Sequence, residues 1–313
     1  MSKMLAAVLA FSSLAAAAYT LADEYTEENF FNEFDFFTDA DPTHGTVKYV
    51  AAEVANDERY AGFYNKGIML GLDYKTLNPA QGRDSTRLVS KKSYTHGLFI
   101  ADIQHMPGSI CGVWPAYWLV GPDWPAGGEI DIIEGVNTQT STSITLHTAP
   151  GCTINNDGTV GSTTLSHANC NEGNAAVGCG QTTNNNQNYG DGFNDASGGV
   201  YATQWTSDFI AVWFFSRNAI PADIANGSPD PSTWGEPTAK FNGGTTCDMD
   251  KFFRDHRIVI NTTFCGDWAG QVWAQNSECM ALASTCQEYV MSKPEAFSQA
   301  YWLFNYIQVY AET

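Results

Sequence analysis

Frequent punctuation by turn residues constrains this chain more than any other feature. Short runs of strand type follow one another at 67–72, 86–90, 97–103, 117–120, 130–133, 143–147, 209–215, 257–262 and 304–310, and Gly, Pro and Asn stand between many of them. Runs of four to seven residues are short for helices and suit strands that rise about 3.3 Å per residue. Their repetition between turn signals predicts an all-β chain, built as an antiparallel sandwich or barrel. Helical signal is sparse, and the best stretch is 278–291 with Pro294 beyond it. A continuous helix over 276–289 would set Cys279 and Cys286 about 10 Å apart along its axis. That exceeds disulfide reach, so each is expected to bond elsewhere.

The remaining segments suggest one large unit. Of 313 residues, 43% are hydrophobic and 13% aromatic, enough for a substantial core. Residues 151–199 are rich in Asn, Gly, Thr and Ser and include Cys152, Cys170 and Cys179. This composition predicts a long surface loop stapled by disulfides. An interdomain linker is the weaker reading, because strands resume after Trp205 and a flexible linker has no use for three cysteines. Residues 1–18 have the form of a signal peptide: Lys3, an apolar run from Met4 to Leu14, then Ala15 to Ala18. That run is too short to span a bilayer, no later run is apolar enough, and the last residues carry no lipid-anchor tail. The expectation is a secreted chain with a single domain over 19–313.

Eight cysteines after such a segment imply disulfides, and 105 pairings stay open. No pair has the C-x-x-C spacing of a zinc site, so neither a structural metal nor a cofactor is expected. The net charge of −19 repels nucleic acid and anionic membranes, and a neutral partner suits it better.

The chemically informative stretch is Gly127-Gly128-Glu129-Ile130-Asp131-Ile132-Ile133-Glu134-Gly135. On a strand, residues two apart share a face. Glu129 and Asp131 therefore project together while Ile130 and Ile132 enter the core. Glu134 lies five positions from Glu129 and would point inward under regular pleating. One β-bulge after Ile132 restores parity and brings all three acids into a row. Three like charges in a row are unfavourable on a sheet, and crowding keeps at least one protonated near neutral pH. An acid beside a base or nucleophile is what glycosidic cleavage requires. A solvated acidic face explains the three interleaved isoleucines poorly. Calcium needs six to eight oxygen ligands that this stretch does not supply.

The stretch Gly128 to Gly135 resembles the signature of glycoside hydrolase family 16 in its bulged, laminarinase form. The resemblance extends to Asp41-Pro42-Thr43-His44-Gly45, Ser93-Tyr94-Thr95-His96-Gly97, Gly112 to Leu119, Thr263 to Gly270 and Asn305 to Tyr310. It is nearest to secreted fungal endo-β-1,3(4)-glucanases. It implies a concanavalin A-like β-jelly-roll sandwich with a substrate cleft on the concave sheet. It also implies an enzyme acting on β-glucan, with Glu129 as nucleophile, Glu134 as general acid and base, and Asp131 assisting Glu129; a monomer is expected. Transglycosylation on cell-wall β-glucan would use the same acids. A non-catalytic lectin on this fold would have no reason to keep both glutamates.

Sugars present apolar ring faces and hydroxyls, so aromatic and polar side chains near the acids are candidates. Trp114, Trp118 and Trp124 lie within fifteen residues of Glu129, while Trp268 and Trp273 stand in another stretch of the resemblance. Core packing is the alternative for every tryptophan. By the resemblance Trp118 and Trp268 belong in the cleft and Trp124 at its rim, and Trp302 is assigned to the core. His147 is either a neighbour of the acids or a satisfied structural histidine. Arg87 either serves the site or forms a surface salt bridge. Asn261-Thr262-Thr263 is a glycosylation pattern that its strand position would hinder, and Asn226-Gly227-Ser228 is weakened by Pro229.

Overall fold

The computed structural model describes residues 19–171 and 177–313; the expected signal peptide over 1–18 lies outside the described residues. The strand runs pair into two large antiparallel sheets. The first has the order β16 (Ala239–Asn242), β15 (Phe209–Ser216), β14 (Gly199–Trp205), β8 (Gly97–His105), β18 (Trp302–Glu312), β5 (Gly67–Leu70) and β4 (Ala61–Tyr64), and β1 (Tyr19–Tyr25) also pairs with β18. The second has the order β12 (Thr164–Leu165), β13 (Cys179–Thr182), β11 (Ile144–His147), β10 (Glu129–Glu134), β9 (Val113–Val120), β17 (His256–Phe264), β7 (Arg87–Tyr94) and β2 (Phe34–Phe36). A short parallel pair, β3 (Val47–Tyr49) with β6 (Arg83–Ser85), stands apart.

Alternation explains how the sheets stack. Phe99, Ala101 and Ile103 of β8 enter the main core with Ile307 and Val309 of β18, and Leu119, Ile130 and Ile260 meet them from the second sheet. Leu98 and Ile100, on the other face of β8, lie in a separate cluster with Val200, Ala202 and Trp213, covered by Ile220, Ile224 and Trp234. Burial on both faces is why β8 reads as a continuous apolar run from Leu98 to Ala101.

Four disulfides join Cys111 to Cys279, Cys152 to Cys247, Cys170 to Cys179, and Cys265 to Cys286. Cys279 and Cys286 do bond elsewhere, but the continuous helix behind that expectation is absent. Helices at Ser277–Met280 and Cys286–Ser292 are separate, each with its own cap. Asn276 accepts from Glu278 N and Cys279 N, and Thr285 accepts from Glu288 N. Thr285 is an N-cap in the middle of the expected helix, and a capping side chain favours a fresh start there. The two disulfides anchor these helices over a second core that includes Val113, Phe264, Trp273, Tyr289 and Phe297. Arg83, fully buried, pairs with Asp73 at 3.0 Å and donates to Val290 O, tying β6 to that core.

The stretch 151–199 is more than a surface loop. It contributes β12 and β13 to the edge of the second sheet, and Cys152, Ile154, Cys170 and Cys179 lie in the main core. Its composition concealed these few apolar anchors.

Loop entropy ranks the disulfides. Cys111–Cys279 spans 168 positions and Cys170–Cys179 spans 9. In the chain-entropy picture the first contributes about 5 kcal/mol and the second about 3 kcal/mol. The Cys111→Ala/Cys279→Ala pair is therefore expected to lower the denaturation midpoint more than Cys170→Ala/Cys179→Ala, which paired guanidinium titrations check.

Candidate active site

β10 sits between β11 and β9. Toward β11 the register is regular, with Glu129 opposite His147, Ile130 opposite Leu146 and Asp131 opposite Thr145. Toward β9 it breaks: Asp131 faces Trp118, but the next pair is Ile133 with Tyr117, followed by Glu134 with Ala116. Ile132 is the extra residue, so the bulge that parity demanded is present. Beyond it Glu134 rejoins the face of Glu129 and Asp131, while Ile130, Ile132 and Ile133 are fully buried on the core side.

The entry to β10 is held by backbone contacts. Gly128 has φ +81°, and a Cβ there would lie 2.4 Å from Phe252 O, so the position needs glycine. Gly127 O accepts a hydrogen bond from His256 Nε2 at 2.8 Å. His256 is buried, and burial pulls its pKa down to about 4, so it donates as a neutral ring. At the far end Glu134 N donates to Thr142 Oγ1 at 3.0 Å.

Burial and crowding push all three acids upward. Glu129 rises to about 8, mainly by desolvation and then by the charge of Asp131, while His147 and Trp124 oppose the shift. Asp131, only 1% exposed, is raised well above the usual carboxylate range by desolvation and by Glu134. Glu134 rises to about 7 by desolvation, against a hydrogen bond donated by Trp114 Nε1 to Oε1 at 2.8 Å. The trio therefore holds protons near neutrality and titrates as a unit. His147 Nε2 lies 3.3 Å from Asp131 Oδ2.

Pairing across the sheet builds the walls. One row runs Glu134, Ala116, Asn261 and Arg87 across β10, β9, β17 and β7, and the next includes Asp131, Trp118 and Val259. Trp118 Nε1 donates to Asn261 Oδ1 at 2.7 Å, and Asn261 Nδ2 donates to Tyr49 Oη at 3.3 Å. Arg87 is 9% exposed and lies over Trp118 and Phe37, with ring-centre distances of 5.2 and 4.4 Å. It forms neither a surface salt bridge nor an open sugar contact; it packs against Trp118. Trp114 meets Trp268 edge-on at 5.6 Å, and Trp124 is 49% exposed.

One sequence expectation fails. Trp273 is 3% exposed, donates to Ala283 O and packs on Tyr289 in the second core, so it presents no face to a sugar. Asn261 is 6% exposed with its amide engaged, in keeping with the expectation that its strand position hinders glycosylation. Trp302, at 1% exposure, is a core residue as expected. Asn261 and Tyr49 escaped the sequence reading as site residues. The signal available was parity, because Asn261 and Thr263 fall on the face of β17 opposite Ile258 and Ile260, which enter the main core.

Residues 34–310 match the family described as XgeA-like, catalytic GH16 domain. The chain belongs to glycoside hydrolase family 16. An endo-1,3(4)-β-glucanase of Arthroderma benhamiae is 44% identical over 97% of this chain and 67% of that relative. A relative from Neosartorya fischeri, named a probable endo-1,3(4)-β-glucanase, is 44% identical over 98% of this chain but only 48% of its own length. The chain thus spans 67% of the first of these relatives and 48% of the second. Among solved structures, an elongating family 16 β-1,3-glucosyltransferase is 45% identical with a TM-score of 0.86, covering 94% of this chain and all of that one. Laminarinase 16A of Phanerochaete chrysosporium, solved with β-glucans in donor and acceptor sites, is 38% identical with a TM-score of 0.87 at the same coverage. The sandwich of this family 16 domain is the laminarinase jelly roll.

The raised acids have a consequence for stability. A carboxyl raised by folding stabilises the fold below its ordinary pKa of about 4.5 and loses that contribution as pH rises through about 8. Glu129→Gln removes the penalty of charging this group. Its melting temperature is expected to exceed the parent's by about 2–4 °C at pH 8, corresponding to about 1 kcal/mol, with no gain at pH 4. Thermal melts of both proteins at the two pH values measure this.

Proposed function

We propose that the chain is a retaining endo-glycosidase that cleaves β-1,3- and mixed β-1,3/1,4-glucan through a glycosyl-enzyme intermediate. The observation that carries this reading is the bulge at Ile132, which sets Glu129, Asp131 and Glu134 on one face where they share protons. Retaining chemistry needs one ionised and one protonated carboxyl flanking the bond.

In this reading Glu129 attacks the anomeric carbon as the anion. In the free site desolvation and Asp131 hold its proton up to about 8, above Glu134 at about 7, so the proton has to pass to Glu134 before attack, a transfer that His147 and Trp124 favour. Glu134 gives its proton to the departing glycosidic oxygen. The indole N–H of Trp114 then supports the carboxylate left on Glu134. That carboxylate next takes a proton from water, and the hydroxide oxygen displaces Glu129 from the sugar. Asp131, hydrogen-bonded to Glu129, adjusts its charge through both steps. Trp118, Trp268, Trp114 and Trp124 supply aromatic surface along the glucan. Four disulfides support work in an oxidising, extracellular compartment, with residues 19–313 as one catalytic unit acting as a monomer.

Likeness to an elongating β-1,3-glucosyltransferase favours a second reading, in which a sugar hydroxyl replaces water in the second step. Time-resolved analysis of laminari-oligosaccharide products separates the two, since only transfer yields products longer than the substrate.

Glu129→Gln is expected to bind laminarin and lose about three or more orders of magnitude in turnover. With an activated glycosyl substrate, added azide should give the retained azide with Glu134→Ala and the inverted azide with Glu129→Ala. Turnover of Glu129→Gln at the parent rate, or the opposite azide stereochemistry, removes the assignment. Because Glu134 must be protonated to act as acid, kcat/KM is expected to fall as pH rises through about 7, which a pH–rate profile reads.

A further inference from the structure

The trio has a neighbour that the glycosidase reading leaves underused. One ligand atom each from Glu129, Asp131 and His147 lies within 4.8 Å of the others. Asp131 Oδ2 is the decisive atom. Asp131 is 1% exposed, and this oxygen has no hydrogen-bond partner among the described residues, although it lies 3.3 Å from His147 Nε2. A buried, unpartnered carboxylate oxygen aimed at an imidazole nitrogen is costly as it stands.

We infer that Glu129, Asp131 and His147 form a binding site for a divalent transition ion of the zinc type. The geometry fits. Ligand bonds of about 2.0–2.1 Å in a tetrahedral site place neighbouring ligand atoms about 3.3–3.4 Å apart. His147 Nε2 and Asp131 Oδ2 already stand at 3.3 Å. Glu129 faces His147 across β10 and β11, is only half-buried, and closes the third corner by side-chain rotation. Glu129 and His147 are only partly buried, so solvent can supply water as the fourth ligand.

The donor set selects the ion. One imidazole and two carboxylates suit zinc or copper. Calcium requires six to eight oxygens and magnesium prefers mostly water with oxygen ligands, so neither matches. A bound dication also offsets the repulsion that burial imposes on the acids. The site is not optimised for retention. With Nε2 on the ion, the proton sits on Nδ1, which is buried without a hydrogen-bond partner among the described residues. The lack of that outer bond weakens binding by about 10–100-fold relative to a supported histidine. The ion is therefore a reversible inhibitor: it holds the carboxylate that the proposed mechanism uses as nucleophile and excludes glucan from it. Only this inhibitory consequence rests on the function proposed above; binding does not.

Titration of the purified protein with zinc chloride alone, read by calorimetry, should give one ion per chain. Copper chloride should give a paramagnetic resonance spectrum with a single nitrogen ligand. His147→Gln and Asp131→Asn should each weaken zinc binding at least about tenfold, with folding confirmed by circular dichroism and melting temperature. Asp131→Asn decides the matter if His147→Gln does not fold. Among the described residues the exposed pairs His44–Asp267 and His96–Asp250 are competing sites, each an ion pair of two ligands. His44→Gln/His96→Gln should therefore keep the parent affinity. Affinity unchanged in Asp131→Asn, affinity lost in the surface double variant, or a copper spectrum without nitrogen would overturn the site. Zinc inhibition of laminarin hydrolysis should be competitive and reversed by a chelator. Zinc bound at the trio without inhibition would leave the site standing and count against Glu129 as nucleophile.

Discussion

One extra residue in one strand governs the chemistry of this domain. Ile132 lies between two register pairs on β9, and its insertion flips the parity of everything that follows on β10. Without it, Glu134 would enter the main core and Ile133 would face the cleft. β10 is an interior strand, paired on both sides, and its register with β11 is regular up to Asp131. The bulge therefore cannot slide without moving a buried isoleucine outward, so packing pins the spacing of the acids.

The surrounding sandwich sustains this unfavourable cluster. Three carboxyls on one face, one of them almost fully buried, raise each other's proton affinity and destabilise the charged form. Countering contacts are few and specific: Trp114 on Glu134, Trp124 toward Glu129, and His147 beside Asp131. The remainder of the compensation is remote. It comes from isoleucines on the core side of β10, from His256 and Gly128 fixing its start, and from disulfides joining distant segments around it. Functional sites commonly hold strain that the rest of the fold over-determines.

The sequence revealed those features that depend on period two. Alternation yielded the all-β sandwich, and the odd spacing from Glu129 to Glu134 yielded the bulge, because a buried carboxylate is costlier than an irregular ladder. It misled wherever local chemistry was overridden or hidden. Thr285 capped a new helix inside an apparently continuous one, a choice stabilised by Cys279 and Cys286 reaching different partners. The polar composition of 151–199 masked Cys152, Ile154, Cys170 and Cys179, four anchors that decide its path. Trp273 and Trp268 look alike in sequence, five residues apart, yet one packs beneath the Cys286–Ser292 helix region and the other meets Trp114. Asn261 matched a surface modification pattern, while its β17 position directs it to the indole of Trp118. Such choices depend on partners distant along the chain, which no local pattern reports.

The acids alone do not separate hydrolysis from chain elongation. In the proposed mechanism both outcomes pass through one glycosyl-enzyme intermediate, and in both Glu134 would take a proton from the incoming hydroxyl. The trio treats water and sugar alike at that atom. Likeness at 45% to a glucosyltransferase and at 38% to a laminarinase, with TM-scores of 0.86 and 0.87, agrees with a shared reaction centre. The difference must therefore arise where the acceptor binds. A sugar hydroxyl competes with abundant water only when surrounding contacts hold it in attack geometry long enough. Under the proposed mechanism the side chains beyond Glu134, Trp114 and Trp268 with the turn at Gly266, are thus the elements that would turn this bulged strand toward cleavage or synthesis.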